Sequence, residues 1–455
     1  MSDWSAQELD ADFGDARLGK RLVKVVDTLS KHPTQSITGA CQTWGEAQAT
    51  YRFFSNPSVT PQKIIDAHRD ACIARMRGES VVLSVQDTSE FNQSTHRATR
   101  GLGYVGGPKQ LGMMMHHAIA VSPDGVMLGV LDEHVWSRPL ADRGKAAARH
   151  TRPIEEKESQ RWINALQASE AAVPEDVPMV TVTDREGDIF ALFAHKRRAG
   201  HDLLIRIVHN RALADGTHIH DTIAAAPSLG EHTVEVHARP DRPARTARLS
   251  VRVGTMSICS PRSQAIAPVV AATIILAHED HAPQGQTSIH WMLLTTLDVQ
   301  TLEDAVRCIT WYSRRWVIER FHFTLKSGCK IESLQLETAL ALQRALAVYA
   351  IVAWRILWIT HHARRAPDTP CTVAFAPHEW KALYCAHHRT AVLPPRVPSL
   401  GHAVRWLAQL GGFLGRRGDG EPGVKVLWQG LQSLEPAAMM YQQLTGDGKN
   451  ETICV

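Results

Sequence analysis

The sequence predicts an α/β core flanked by a helical region at each end. Apolar residues recur at helical spacing between residues 15 and 75, and again from Thr301 onward. Between these regions, from residue 80, short β-rich runs alternate with a helical segment, an order typical of an α/β core with a mixed sheet. We therefore predict a helical module at residues 1–75, a core at 76–365 and a C-terminal helical region at 366–455.

The first helical region shows its pattern in one amphipathic stretch. Leu18, Leu22, Val25, Val26 and Leu29 fall on one face of a helix. A compact helical module of this size is a common way to read DNA, although helical bundles without a ligand are just as common. Because the summed charge of the region is near zero, composition alone favours neither interpretation.

The core begins with two β runs that each lead to an aspartate. Val81–Val85 precedes Asp87, and Met179–Thr183 leads directly into Asp184. Because open α/β sheets place their ligands at the carboxyl ends of strands, we expect both carboxylates at one edge of the sheet. A lone aspartate after a strand is, however, more often only a turn or helix cap.

The rest of the core contains a hairpin, a helix, a further strand and an insertion. Met113–Val121 and Val126–Val130 flank a Pro-Asp-Gly turn and predict a β-hairpin. A helical stripe around Trp162 follows, and Leu203–Val208 reads as another strand. At about residues 210–300, proline and arginine interleave with short β runs, which predicts an all-β insertion.

Bulk composition narrows the class of protein. Hydrophobic residues make up 44% and charged residues 21%, as in ordinary globular proteins, and the net charge of +4 permits a nucleic-acid partner without requiring one. The eight cysteines form no C-x-x-C pair, which favours free thiols in a reducing cytosol. The acidic start resembles no signal peptide, and the most apolar window, Ala345–Trp354, falls short of the about 20 residues that span a bilayer. We expect a cytoplasmic protein without a membrane partner.

One segment of the second helical region concentrates polar side chains. If residues 312–326 form a single helix at about 100° per residue, then Tyr312, Arg315, Glu319 and Lys326 lie within roughly 60° of one another. A solvated face with an Arg315–Glu319 pair is the alternative, and it would contribute only a few tenths of a kcal/mol. Spacing alone does not decide between a binding stripe and a solvated face.

Local charge favours the binding stripe. Between residues 311 and 330, Glu319 is the one acid among five cations: Arg314, Arg315, Arg320, Lys326 and Lys330. Such a carboxylate is well explained as a metal ligand whose cationic neighbours hold phosphates. With Asp87 and Asp184 it makes three hard-oxygen ligands suited to Mg²⁺ or Mn²⁺. Two such ions per site stabilise the attacking and leaving oxygens of an in-line phosphoryl transfer.

These residues carry a resemblance to a known family. The chain resembles the transposase of the bacterial transposon Tn5 and the wider IS4 group of insertion-sequence transposases over nearly its whole length. The spacing Tyr312-x2-Arg315-x3-Glu319-x6-Lys326 matches the Y-R-E-K signature of that group. Further matching segments are Asp184-Arg-Glu-Gly-Asp188, Asp87-Thr88, Trp136-Ser-Arg-Pro139 and Glu156-Lys-Glu-Ser159. The resemblance is weakest at residues 210–290 and 365–400.

The resemblance implies an RNase H-like catalytic core interrupted by the insertion, with Asp87, Asp184 and Glu319 as a metal-binding DDE triad. Tyr312, Arg315 and Lys326 would grip the transposon end. Trp291 would stack on a base flipped out of the duplex during hairpin formation, an interaction worth ~1–3 kcal/mol; a core tryptophan of the sheet is the alternative.

The resemblance extends to both ends of the chain. The N-terminal module looks like an end-binding domain whose basic positions are Arg21, Lys31 and Arg52, and the C-terminal region looks like a dimerisation region. In the insertion, the run Arg239, Arg242, Arg245 and Arg248 is either a phosphate-contacting patch or a solvated edge strand.

The function implied is cut-and-paste transposition. A homodimer in a synaptic complex would cut double-stranded DNA at inverted-repeat ends with Mg²⁺, for which Mn²⁺ would substitute, pass through a hairpin and join the ends to target DNA. The alternatives are an RNase H-like nuclease that cleaves without joining and a catalytically silent DNA-binding relative. The pattern assigns no role to His322.

Overall fold

The computed structural model describes residues 3–96, 98–107, 109–143, 153–236, 244–261 and 269–446. The chain divides into two compact units, and each is formed by segments distant in sequence. Unit 1 consists of Met1–Gly78, Thr88–Ala141 and Glu319–Val455, and unit 2 of Glu79–Asp87 and Asp142–Ile318. These units cut across the three domains predicted above, because helices from both ends of the chain pack within unit 1.

Unit 1 is mainly helical. Its helices are α1 (Asp3–Glu8), α2 (Ala16–Lys31), α3 (Ile37–Ala40), α4 (Trp44–Ser55), α5 (Pro61–Ala67), α6 (Arg69–Met76), most of α11 (Trp316–Phe323), α12 (Ala339–Arg365), α13 (Pro377–His388), α14 (Leu400–Leu410) and α15 (Val424–Thr445). Its strands are the second half of β1 (Val82–Asn92), β2 (Gly103–Tyr104), β3 (Leu111–Val121) and β4 (Met127–Trp136).

The N-terminal helices form where side chains cap their first turns. Asp15, Thr43 and Thr60 accept hydrogen bonds from backbone N–H groups at the starts of α2, α4 and α5, which satisfies donors that have no partner inside a helix. The apolar stripe of α2 is buried, including Leu22 and Leu29. The predicted helical character of residues 15–75 is therefore confirmed.

Helix α12 is the core of unit 1. It packs against α2, α4 and α5 as well as β4, α14 and α15, and Arg344 donates to the carbonyl oxygens of Phe54 and Val59. The apolar segment Ala345–Trp354 is thus part of a 27-residue helix, so the argument that it is too short to cross a bilayer is wrong. By length and composition α12 could span a membrane, but 83% of its apolar window is buried inside the protein, as in the core helix of a globular fold.

The predicted hairpin is confirmed in β3 and β4. The two strands pair antiparallel, with His117 opposite Glu133, and the second half of β1 lies beside β3. The end of the first strand, however, was predicted incorrectly. β1 continues to Asn92, so Asp87 lies within an extended strand, at the last residue of β1 that belongs to unit 2.

Unit 2 contains the parallel part of the fold and the insertion. Its elements are the first half of β1, α7 (Gln160–Ala172), β5 (Met179–Thr183), α8 (Phe190–Ala194), β6 (His201–Arg206), α9 (Ile219–Ala225), β7 (Ser228–Val236), β8 (Arg245–Cys259), β9 (Val269–His278), β10 (His290–Thr295) and α10 (Leu302–Ser313). β1, β5 and β6 are parallel neighbours, and β10, β9, β8 and β7 continue from β6 as antiparallel strands. The insertion also contains the short helix α9, so it is not purely β.

The predicted single helix from Tyr312 to Lys326 is wrong. α10 ends at Ser313, and the backbone between it and α11 makes i to i−3 bonds, including Arg315 N–H to the Tyr312 carbonyl and Ile318 N–H to the Arg315 carbonyl. After Phe323 the backbone widens into a π-helical turn at Thr324–Gly328. Each change of pitch shifts the angular position of the residues that follow, so a constant 100° per residue does not describe this segment.

Candidate active site

Three polar side chains lie side by side on adjacent parallel strands of unit 2. The register of β1 and β5 pairs Val85 with Val182, and continuing it by two residues sets Asp87 beside Asp184. The register of β5 and β6 pairs Thr183 with Ile205, so the next residue places Arg206 beside Asp184. The strand order thus brings the two predicted aspartates to one sheet edge, with an arginine next in the row.

The turn after β5 fixes Asp184. Its Oδ1 accepts the N–H of Glu186 at 2.9 Å, and a side chain at Gly187 would collide with Thr183, because an added Cβ would lie 2.2 Å from Thr183 Oγ1. The buried Asp188 accepts the backbone N–H groups of Val208 and His209 at 2.8 and 2.9 Å. The segment Asp184-Arg-Glu-Gly-Asp188 is therefore a compact turn, and Asp184 is both a cap and an edge carboxylate.

Two residues of the predicted binding stripe reach this edge. Arg315 Nη1 lies 3.8 Å from Asp87 Oδ2, with both side chains largely buried. Tyr312 is also buried; burial raises the pKa of its hydroxyl, while the charges of Arg315 and Arg206 and a hydrogen bond from Arg206 oppose that shift. The phenol is thus held within a polar cluster and is not presented on an open helix face.

Trp291 packs against this cluster. Its ring centroid lies 5.9 Å from that of Tyr312 in an edge-to-face arrangement, and the side chain is only partly buried. Trp291 lies on β10, and Leu293, two residues after it on that strand, pairs with Arg206 of β6. A tryptophan with one edge held by Tyr312 and part of its surface accessible is suited to stacking on a further ring.

Glu319, Lys326 and His322 belong to unit 1. Glu319 lies on α11 and is partly buried, and Lys326 lies in the π-helical turn. His322 is 6% exposed and approaches His117 of β3, with Nε2 3.1 Å from His117 Nδ1. His322, to which the sequence pattern assigned no role, is therefore a buried polar side chain packed against β3.

The three basic positions of the N-terminal module differ in their surroundings. Arg52 is exposed in the last turn of α4 and Arg21 is partly exposed on α2. Lys31 lies 3.3 Å from Asp27 and 3.5 Å from Glu435 of α15, and these charges outweigh burial and raise its pKa. Lys31 is accordingly engaged with two carboxylates within unit 1.

The arginine run of the insertion is only partly within the described ranges. Arg239 and Arg242 lie outside the described residues. Arg245 pairs with Glu279 through both guanidinium nitrogens and is mostly buried, whereas Arg248 is exposed beside Glu231 at 3.2 Å. Both lie on β8, which has β7 and β9 as neighbours and is therefore not an edge strand. Arg245 is committed to an internal pair, and Arg248 is the better candidate for a phosphate contact.

The carboxylates of Asp87 and Asp184 fit a divalent cation by chemistry. Mg²⁺ favours hard carboxylate oxygens and is commonly bound through one or two of them. Across the described ranges, no group of three His, Cys, Asp or Glu side chains is close enough together to hold a metal ion. Asp87 and Asp184 therefore provide two of the ligands that a metal site needs, and the described residues place no third ligand beside them.

Sequence reasoning missed Arg206. A signal was present, because Arg206 is the one charged residue in the predicted strand Leu203–Val208. The strand order that makes these ends neighbours depends on long-range pairing, which the local pattern does not specify.

Three protein-family models match parts of the chain. Residues 1–59 match the transposase DNA-binding family, residues 136–355 the transposase DDE domain, and residues 351–441 the transposase Tn5 dimerisation domain. Among solved structures, the chain is similar to one described as a piggyBac transposase synaptic complex with hairpin DNA. That match has 8% identity and a TM-score of 0.34, and covers 75% of this chain and 65% of the other, slightly less than two thirds of its length.

The mixed sheet, with antiparallel β3 and β4 following β1 and parallel β5 and β6 after it, defines an RNase H-like core of the DDE class. The chain belongs to the Tn5-like DDE transposases of the IS4 group.

Proposed function

We propose that the chain is a cut-and-paste DNA transposase whose divalent cations are held by Asp87, Asp184 and Glu319. The observation that carries the proposal is the register of β1, β5 and β6, which lines up Asp87, Asp184 and Arg206 at one edge of an RNase H-like sheet. Glu319 is assigned from the signature spacing. Divalent cations bound there would stabilise the attacking and leaving oxygens of an in-line phosphoryl transfer.

The side chains around the aspartates suit a DNA backbone. Arg315 beside Asp87 and Arg206 beside Tyr312 place two guanidinium groups next to the carboxylates. Guanidinium groups bind phosphate oxygens in a bidentate manner, which positions a scissile phosphate without reading its sequence. Lys326, Arg21 and Arg52 would extend this grip along a transposon end, and Lys31 would join them when released from Asp27 and Glu435.

We assign the hairpin step to Trp291. Because a DNA 3′-hydroxyl can reach the opposite strand only after local unpairing, a base must leave the stack and be held. An aromatic ring braced by Tyr312 offers a stacking platform for that base. After hairpin opening, the same 3′-hydroxyl would attack target DNA, in a homodimer that holds two ends.

The experiment uses DNA whose ends are the inverted repeats flanking the reading frame. Purified protein with Mg²⁺ is expected to nick each end, form hairpins and produce joined products, and Mn²⁺ is expected to substitute. Asp184→Asn keeps the acceptor that caps the following turn but removes the charge, and should lower the cleavage rate by at least about 10³-fold, as expected when electrostatic stabilisation is lost.

The matched control is Glu186→Gln, two residues further on. Glu186 is 60% exposed and pairs with Arg161, so cleavage should stay near the wild-type rate. Unchanged Mg²⁺-dependent cleavage by Asp184→Asn would refute the triad. Cleavage without joined products would identify a nuclease, and DNA binding without cleavage by the wild-type chain would identify a silent relative.

A further inference from the structure

A buried chain of polar side chains lies beside the helix that carries Glu319. In unit 1, His117 Nε2 lies 3.0 Å from Glu133 Oε2, and His117 Nδ1 lies 3.1 Å from His322 Nε2. His117 has no exposed surface, and Glu133 and His322 are 8% and 6% exposed. A cross-strand pair of β3 and β4 is thereby linked to α11.

The chemistry of the three groups gives the chain a direction. A carboxylate only accepts, so His117 donates from Nε2 to Glu133. When His117 is neutral, its Nδ1 accepts a hydrogen bond from the N–H at Nε2 of His322. The second oxygen of Glu133 is buried without a hydrogen-bond partner among the described residues. Leaving a buried carboxylate oxygen without a partner costs free energy. Apolar side chains at these positions would avoid that cost, so packing alone does not explain the cluster.

The backbone on either side of helix α11 is irregular. The helix has eight residues, follows a tightened turn and leads into a π-helical turn, so the adjoining backbone imposes no single helical phase. Phe321 also contacts His117, with ring centroids 5.0 Å apart, but an apolar contact tolerates rotation better than a directional hydrogen bond. His322 follows Glu319 by three residues, so both lie on the same side of the helix.

We propose that Glu133, His117 and His322 form a positioning chain that fixes the rotation of α11 at which Glu319 can hold a divalent cation. This inference rests on the proposed function. With a side-chain radius of about 5–6 Å, a rotation of ~10° moves the Glu319 carboxylate by about 1 Å. A displacement of that size can lower a reaction rate by about 10²-fold.

The test compares variants of the full chain. His322→Leu and Glu133→Gln are expected to raise the half-saturating Mn²⁺ concentration, measured by electron paramagnetic resonance without DNA, by about tenfold, the lower end of what outer ligand-sphere changes produce. Cleavage should fall about 10–100-fold, while metal-free end binding by gel shift should stay the same. His322→Gln, whose amide can replace the Nε2 donor, should restore Mn²⁺ binding to within about threefold of wild type.

His134→Leu is the control, since this exposed histidine of β4 directly follows Glu133 and should change neither readout. Wild-type Mn²⁺ affinity and cleavage in both His322→Leu and Glu133→Gln would overturn the positioning chain while leaving the proposed function intact. His322→Leu and His322→Gln could instead lose Mn²⁺ binding equally and in proportion to their falls in melting temperature. The three residues would then only stabilise the fold, and that result would also overturn the positioning chain. A wild-type protein without metal-dependent cleavage would overturn the proposed function itself.

Discussion

The substitution Glu8→Gln should strongly destabilise unit 1. Glu8 is 9% exposed and accepts from both terminal guanidinium nitrogens of Arg75, at 2.9 and 2.8 Å, while its Oε1 lies 2.5 Å from His68 Nδ1. Arg75 also donates to the carbonyl of Leu128 at 2.6 Å and lies over the ring of Trp354. The carboxylate thereby connects α1 and α6 with β4 and α12.

The expected cost follows from the two bonds that glutamine cannot both keep. Hydrogen bonds to charged groups contribute about 1.5–3 kcal/mol each, which agrees with about 3–5 kcal/mol for breaking a buried ion pair. Glutamine would also direct an amide N–H₂ group at a guanidinium, donor against donor. At ~2–4 °C per kcal/mol, the melting transition of unit 1 should fall by roughly 6–20 °C.

Thermal and urea unfolding followed by circular dichroism measure this effect, with Asp15→Asn as the control. Asp15 is a partly exposed cap of α2 bonded to Arg17, and asparagine can still cap, so its change should be much smaller. A cost for Glu8→Gln no larger than that of Asp15→Asn would refute the reasoning.

The pH dependence of Glu8→Gln supplies an independent check. Burial raises the pKa of Glu8, but the charges and hydrogen bonds of His68 and Arg75 outweigh burial and hold it below the ordinary value of 4.5. A lowered carboxyl pKa stabilises the fold above the unfolded-state pKa, and this stabilisation is lost as pH falls through the folded-state value. The part of the difference between wild type and Glu8→Gln that the carboxyl pKa contributes should therefore be lost as the solution becomes more acidic than pH 4.5.

Three further predictions concern the two units. Trp291→Ala should leave the first nick near the wild-type rate but slow hairpin formation by about 5–150-fold, the equivalent of ~1–3 kcal/mol of stacking; quenched time courses on denaturing gels would separate the steps, and equal slowing of both would contradict the assignment. Arg206→Gln should weaken metal-free DNA binding and lower its salt slope by about 1, measured by fluorescence anisotropy; an unchanged slope would exclude a phosphate contact. Gly430→Ala should disrupt the α14–α15 packing, because a Cβ there would lie 2.0 Å from the Leu407 carbonyl oxygen, and light scattering should report loss of the proposed dimer, whereas Gly423→Ala, with open space around it, should keep it.

Local patterns predicted the elements of the fold where one interaction dominates. The apolar stripe of α2, the capping of α10 by Thr301 and the hairpin of β3 and β4 all depend on residues close in sequence. The aspartate at the end of β5 was found for the same reason. These features follow from periodicity and capping, which a single sequence contains.

Features set by long-range pairing were not available from the pattern. Arg206 joins the aspartates only through the register of β5 and β6. Lys31 pairs with Glu435, a residue more than 400 positions away, and nothing in the local pattern indicates that pair. Helix α12 also extends well beyond its most apolar window, because its polar flanks find partners such as the carbonyl oxygens accepting from Arg344. In each case the structure around the residue depends on a partner that is distant in sequence.

The segment from Tyr312 to Lys326 separates these two kinds of information. Its spacing identified the family, yet the backbone passes from an α-helix through a tightened turn to α11 and then to a π-helical turn. The motif spacing therefore indicates which residues act together, but it does not mean that they lie on one continuous α-helix. The phase has to come from contacts outside the segment, such as Asp87 for Arg315, Arg206 for Tyr312 and His117 for His322. If these contacts set the geometry, then changing His117 should disturb metal binding more than changing the exposed Phe323 on α11 itself.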